Sequence, residues 1–256
     1  MKRKLTLILT SVFYLVTSLT AQTEIDTSFR SSMNFIFANV DKSKVPYGIL
    51  RDYAMEFTNL ENFNGTAVLA DSNFTTPSIF WDVYNTLLMG RIHTSATGFL
   101  KQDTIDNRWF SYRQPGRITL SGLYFNYSRF KDNAANNYIT ITNNRLYDKH
   151  VGGVWQNPYQ TETAFVISPS VTIYTGTSFT ILLPVSLWLT NNSPAISSIS
   201  IDAGDGLGYR TLTPGVSLSV NYTSPGDKEW KYRITLTAGG YQYSHSRITI
   251  KGSNAN

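Results

Sequence analysis

Alternation of apolar side chains with a period of two dominates the last third of this chain and restricts it to β structure. Every odd position from 179 to 189 is apolar, and the pattern recurs at even positions in 216–222, 230–236 and 248–250. Because successive side chains of a strand point to opposite faces, each run gives a sheet one apolar face. Turns at roughly 8 to 12 residue spacing then predict two sheets that close on each other as a β-sandwich.

Two turn motifs separate these runs. Asp202-Ala203-Gly204-Asp205-Gly206 follows one strand, and Tyr222-Thr223-Ser224-Pro225-Gly226 precedes the strand that begins at Trp230. In this order the motifs resemble the D-x-G-D-G turn, Y-T-x-P-G corner and Tyr-rich strand of PKD-type immunoglobulin-like domains. The resemblance covers residues 165–252 and implies a spacer, or a module that contacts protein or glycan at a cell surface. It implies no catalytic residues.

The first 21 residues have the three parts of a secretory signal peptide. Lys2, Arg3 and Lys4 precede a run without charge from Leu5 to Ala21, which ends in small residues. We therefore predict cleavage after Ala21 and a mature protein, secreted or at the cell surface, without a transmembrane segment. Small secreted domains of eukaryotes usually contain disulfides, so an exported chain with no cysteine favours a bacterial source. A chain of this length can bury a core large enough to be stable without disulfides.

The formal charge of +5 comes mostly from this leader. The leader contains three of the 22 basic residues and none of the 17 acidic ones, so 19 basic and 17 acidic residues remain, a net charge of +2. No remaining cluster of Lys and Arg could release several phosphate counterions together, which is what affinity for nucleic acid requires. The composition therefore argues against nucleic acid as a partner.

Helical periodicity marks residues 22–92, where we predict three short helices. Apolar residues recur on one helical face over residues 29–40 and again over 46–60. The clearest helix opens at Thr76 and ends at Gly90, residues that suit an N-cap and a C-terminal stop. Apolar stripes of this width ordinarily face a core.

Residues 93–162 have strand composition at 117–127 and 138–142, with a hairpin turn predicted at Asn143-Asn144. Aromatic and Asn residues accumulate here, and we predict an irregular region that contains β structure. Residues 163–256 form the predicted sandwich, which we expect to fold on its own. The fold class is therefore α+β: a helical N-terminal region, an irregular β-containing middle and a C-terminal immunoglobulin-like (PKD-like) β-sandwich.

Trp109, Trp155 and Tyr159 lie in the middle region and form our candidate aromatic surface. Aromatic side chains supply much of the contact area at surfaces that bind ligands. They support a second interpretation, a carbohydrate-binding accessory protein, beside an adhesion or spacer module that contacts a surface glycan or protein. Packing beneath loops is the alternative role for the same side chains.

Asp202 and Asp205 are candidate metal ligands, because Ca²⁺ takes carboxylate oxygens from flexible acidic turns. The same side chains also form turns by accepting backbone N–H bonds, which is the simpler role, and we expect no other cofactor. The sequence contains neither an H-E-x-x-H nor a G-x-S-x-G motif, and it offers no catalytic residue to select. A secreted hydrolase, of which this chain is the N-terminal part, stays open as a third interpretation.

Overall fold

A computed structural model describes residues 22–252, with side chains from Ser28 onward. The fold is mixed α+β with a β-rich body, which confirms the coarse fold class. The predicted signal peptide, residues 1–21, lies outside the described residues. Within residues 22–252, no helix combines the length and the hydropathy that crossing a bilayer requires.

The described part of the chain contains four α-helices, joined in places by short 3-10 turns. The helices are α1 Gln22–Ile36, α2 Pro77–Met89, α3 Gln102–Ser111 and α4 Ala134–Asn137. The strands, in chain order, are β1 Phe74–Thr75, β2 Arg117–Phe130, β3 Ile139–Thr142, β4 Arg145–Asp148, β5 His150–Val151, β6 Val154–Trp155, β7 Tyr159–Pro169, β8 Ile173–Thr175, β9 Ser178–Leu182, β10 Trp188–Thr190, β11 Ile196–Asp202, β12 Arg210–Thr211, β13 Leu218–Asn221, β14 Gly226–Leu236 and β15 Tyr241–Lys251.

The helical predictions for the N-terminal region hold in part. The helix predicted to open at Thr76 is confirmed as α2, and the Thr76 hydroxyl oxygen accepts the Ile79 N–H at 3.2 Å. The helix predicted over residues 46–60 is wrong, and 3-10 turns stand in its place. Tyr47 and Gly48 have φ values of 60° and 65°, which a right-handed helix cannot contain.

Two large sheets form the β-rich body. The first has the strand order β1-β15-β14-β11-β12, with β8 also paired to β15, and the second has the order β10-β2-β9-β13, with β7 also paired to β2. Side chains of both sheets, among them Ile181 and Ile234, meet in one hydrophobic core. The apolar faces predicted for residues 230–236 and 248–250 lie against this core, with only Leu236 partly exposed.

The long strand β2 connects this core to the N-terminal helices. Its first residues, 117–119, pair with β9, and Ile118 and Leu120 lie in the core between the sheets. Further along, Phe125 and Tyr127 pack in a second core with residues of α2. β7 follows β2 in an unbroken antiparallel ladder. The division expected at residue 163 therefore falls inside β7, and a strand from before that division contributes to the core between the two sheets.

The alternating run over residues 179–189 is not one strand, contrary to the prediction. β9 ends at Leu182, and the 3-10 turn Val185–Leu187 leads into β10. Pro184 precedes that turn, where it ends the ladder because proline has no N–H to donate. Val185, expected on the apolar face, is consequently 68 % exposed.

Two small hairpins give the middle region more order than expected. β3 pairs with β4, and the predicted turn at Asn143-Asn144 is confirmed, with φ values of 51° and 58°. Positive φ at both central residues is the requirement of a type I′ hairpin turn. β5 pairs with β6 across Gly152-Gly153.

Candidate ligand-binding sites

The structure does not bring the three aromatic candidates together at one surface. Trp109 on α3 packs against Phe80 and Trp81 of α2, with ring centroids 5.7 and 5.5 Å apart. Its indole N–H donates to the Ser121 hydroxyl of β2. Trp109 therefore belongs to the packing between the helices and the sheet.

Trp155 and Tyr159 lie in a different hydrophobic cluster. The Trp155 indole N–H donates to Asp148 Oδ1 at 3.1 Å, and the Lys44 ammonium lies 5.0 Å from a ring centroid of Trp155. Tyr159 is buried, and this burial raises the pKa of its phenol. Of the three candidates' rings, Trp109 and Trp155 keep partial exposure, but each is held by specific packing partners.

The acidic turn uses the carboxylates of Asp202 and Asp205 internally. Asp202 Oδ1 accepts the Gly204 N–H at 2.9 Å, and Asp205 Oδ1 accepts the Leu207 N–H at 3.3 Å. The second oxygen of Asp205 pairs with the Arg210 guanidinium, and the Asp205 side chain is 1 % exposed. No group of three or more His, Cys, Asp or Glu side chains in the described chain is placed to hold a metal ion. Calcium stays a prediction.

One side chain joins the two motifs of the family resemblance. The Tyr222 hydroxyl donates to the Ala203 carbonyl oxygen at 2.6 Å and accepts the Trp230 indole N–H at 2.7 Å. Burial raises the pKa of Tyr222 to about 12. These two bonds fix the corner, the acidic turn and the following strand relative to one another, which gives a physical reason for their occurrence together.

A buried histidine ties a surface loop to the first sheet. His245 Nδ1 lies 2.8 Å from Glu229 Oε1, and Nε2 lies 2.7 Å from Asn73 Oδ1. The Asn73 amide is oriented by the backbone, since its Oδ1 accepts the Ala70 N–H and its Nδ2 donates to the Val68 carbonyl. Both ring nitrogens of His245 therefore face acceptors, and this geometry has a structural role.

An open groove lies beside Trp188, at the edge of the β-rich body. Its volume is about 330 Å³, which is within the range of small-ligand sites. Every polar side chain that lines it carries a hydroxyl group, and the rest are apolar. The lining residues are Trp188, Ser193, Ile196, Ser197, Ser198, Ile199, Thr211, Leu212, Thr213 and Pro214.

Short strand pairing and one glycine account for the groove. β12 pairs with β11 only at Ser200 and Ile201, so the preceding part of β11 has a paired strand on one side only. Trp188 of β10 lies in register with Gly122 of β2. A Cβ atom on Gly122 would lie 2.6 Å from Trp188 Cε3, so the indole can occupy this position only beside glycine.

Sequence reasoning missed this groove as a site. The available signal was the even position of Trp188 within a run whose apolar residues occupy odd positions. In the structure this ring packs at the edge of the core between the two sheets, whereas Leu187 and Leu189 face the core that contains α2. The other lining residues come from separate segments, and no local pattern associates them.

No model of a known protein family matches this chain, and a comparison with curated proteins gives no match. The PKD-type resemblance therefore stays a prediction from the motifs.

Proposed function

We propose that this chain is an exported, non-enzymatic binding protein of the cell surface, whose PKD-like, immunoglobulin-like sandwich attaches to glycans. The groove beside Trp188 is the observation that carries the proposal. An aromatic ring beside a row of hydroxyl groups suits a neutral sugar, because the C–H face of the sugar packs on the ring while its hydroxyls exchange hydrogen bonds with Ser and Thr.

The strand order supports the immunoglobulin-like part of the proposal. In that fold, strands C, F and G share one sheet, and strands A, B and E belong to the other. When β9, β11, β13, β14 and β15 are taken as B, C, E, F and G, both sheets have this arrangement. The place beside strand B, where strand A lies in that fold, is taken by β2.

The sequence of residues 1–21 supports the export part of the proposal, because a basic start, an apolar run and a small-residue end occur together. N-terminal sequencing of protein recovered from the culture medium or a surface fraction should give Gln22 as the first residue. Protein that keeps Met1 and stays in the cytoplasm would contradict a role at the surface.

A glycan array tests the binding part. Purified residues 22–256 should bind a subset of neutral glycans. Thr213→Val, at the exposed rim of the groove, should weaken that binding because it removes a hydroxyl without disturbing the core, and Trp188→Ala should abolish it. Trp155→Ala is the matched control and should bind like the wild type.

Two outcomes would change the proposal. Binding that survives Trp188→Ala and is lost on Trp155→Ala would return the site to the aromatic residues of the middle region. Hydrolysis of a polysaccharide by the purified chain would place the protein among enzymes instead.

A further inference from the structure

Arg233 is held between two tyrosine rings on the outer face of the first sheet. Its neighbours in β14, Tyr232 and Ile234, are fully buried, so strand alternation directs Arg233 away from the core. The guanidinium carbon lies 4.4 Å from the ring centroid of Tyr209 and 4.7 Å from that of Tyr241. Stacking against both rings fixes the plane of the guanidinium before any ligand arrives.

No carboxylate forms an ion pair with Arg233 among the described residues, whereas Lys231 on the same strand and Arg247 on its partner strand β15 are paired. Lys231 lies 3.7 Å from Glu229, and Arg247 lies 3.2 Å from Asp71. Arg233 Nε is buried and makes no hydrogen bond in the described chain. The guanidinium is therefore a positioned fork that forms no ion pair within the described chain, and Arg233 stays partly exposed, so its terminal N–H groups are available to a ligand.

The surface around Arg233 is rich in tyrosine side chains. Tyr243 of β15 and Ser200 of β11 are the residues in register with Arg233 on either side. Tyr241 is 51 % exposed, and its ring centroid lies 6.3 Å from that of Tyr243. The nearby carboxylate of Asp202 lies on the same face, but it is in register with Lys231.

We propose that Arg233, Tyr209 and Tyr241 form a second binding site, which takes the carboxylate of an acidic, uronate-containing glycan. A guanidinium fork matches the two oxygens of a carboxylate. The flanking tyrosines supply ring faces and hydroxyls to a sugar, which favours a uronate over the flexible acidic side chain of a peptide. Tyr241 is exposed, and Arg233 and Tyr209 are partly exposed, so the site fits one uronate within a long polymer. It stands whether or not the groove beside Trp188 binds glycan.

Calorimetric titration of residues 22–256 with a pentamer of α-1,4-galacturonate at low salt tests the site. The same pentamer with every carboxyl methyl-esterified retains the sugars and removes the charge, and a pentamer of glutamate retains the charge and removes the sugars. The wild type should bind the acidic sugar best, with an affinity that falls as salt is added.

Variants on the same face give matched controls. Arg233→Gln should weaken galacturonate binding about 10- to 100-fold, because it removes a charge-assisted hydrogen-bonded pair. Arg233→Lys should retain only part of the affinity, since it keeps the charge and loses the fork. Tyr241→Ala, at an exposed ring, should also weaken binding without unfolding the sheet. Lys231→Gln and Trp188→Ala should bind galacturonate like the wild type.

Each remaining outcome contradicts the proposal. Failure of the wild type to bind the galacturonate pentamer at millimolar concentration would overturn it, as would wild-type affinity in an Arg233→Gln variant. Equal binding of the methyl ester would exclude carboxylate recognition. Equal binding of the glutamate pentamer would reassign the site to acidic peptides. The expected result for Trp188→Ala, retained galacturonate binding, makes a failure of the groove distinguishable from a failure of this site.

Discussion

Gly122→Ala tests how β2 positions Trp188. The added Cβ would lie 2.6 Å from Trp188 Cε3, 2.7 Å from Cζ3 and 3.1 Å from Ile167 Cγ1. Carbon atoms pack best at about 3.5–4.0 Å, so the indole must move by roughly 1 Å. Overpacking of a core typically costs about 1–3 kcal/mol. For a domain of this size, that cost lowers the melting temperature by about 2–12 °C.

A double-mutant cycle with Trp188→Leu isolates the contact, with thermal and urea unfolding followed by circular dichroism. Leucine lacks the ring atoms that the new methyl group meets. Gly122→Ala should therefore destabilise the Trp188→Leu background less than the wild type, with a coupling free energy of about 1 kcal/mol or more. An equal cost in both backgrounds would refute the idea that the indole is the reason for glycine at this position.

Three further predictions concern the core. The expectation that the C-terminal part folds on its own is replaced by its opposite: a fragment of residues 163–252 should show no cooperative melt, because it lacks β2, which contributes to its core. A melt like that of the full chain would contradict this. Tyr222→Phe should lower the free energy of unfolding by about 1–3 kcal/mol for each group left unpaired. Burial raises the pKa of Tyr222 in the folded state to about 12, from an ordinary value of 10.0. Its contribution to the free energy of unfolding is therefore complete below pH 10 and is lost as the pH rises towards 12, so the stabilities of the wild type and the variant should converge there. His245→Phe keeps the stacking on Phe74 but removes both ring nitrogens, and with them the hydrogen bonds to Glu229 and Asn73, so amide exchange in residues 68–75 should accelerate. Unchanged exchange would refute the idea that His245 holds this loop against the sheet.

Strands with one buried face are the part of this fold that periodicity predicts well. From Trp230 onward, the residues of β14 alternate between a buried face and a half-exposed face. Trp230 and Ile234 are therefore recognised as core residues from the sequence alone. The Asn143-Asn144 turn is likewise local, because asparagine tolerates positive φ. Pro184 shows the limit of the pattern, since it interrupts a run of alternating residues that otherwise predicts a single strand.

β2 shows what periodicity cannot predict. Almost all of its residues from Ile118 to Phe130 are buried, so the strand presents no alternation that assigns it to a particular sheet. Its partners β9 and β10 follow much later in the chain, and no local signal connects them.

The candidate sites were beyond sequence reasoning for a similar reason. The groove beside Trp188 and the stacking of Arg233 between Tyr209 and Tyr241 each need residues from separate strands. Composition directed attention to Trp109 and Trp155 instead, because aromatic residues are dense there. Density does not distinguish a ring that packs beneath a helix from one that lines an open groove.

Nuclear magnetic resonance of the tryptophan indole groups tests glycan binding in the groove most directly. The chain contains five tryptophans, and a Trp→Phe variant of each assigns its N–H signal. On titration with a neutral oligosaccharide chosen from the array, the Trp188 signal should shift and saturate, while the signal of Trp230, which is fully buried, stays in place. Shifts confined to Trp109 or Trp155, or no shift at Trp188 at saturating sugar, would contradict the account.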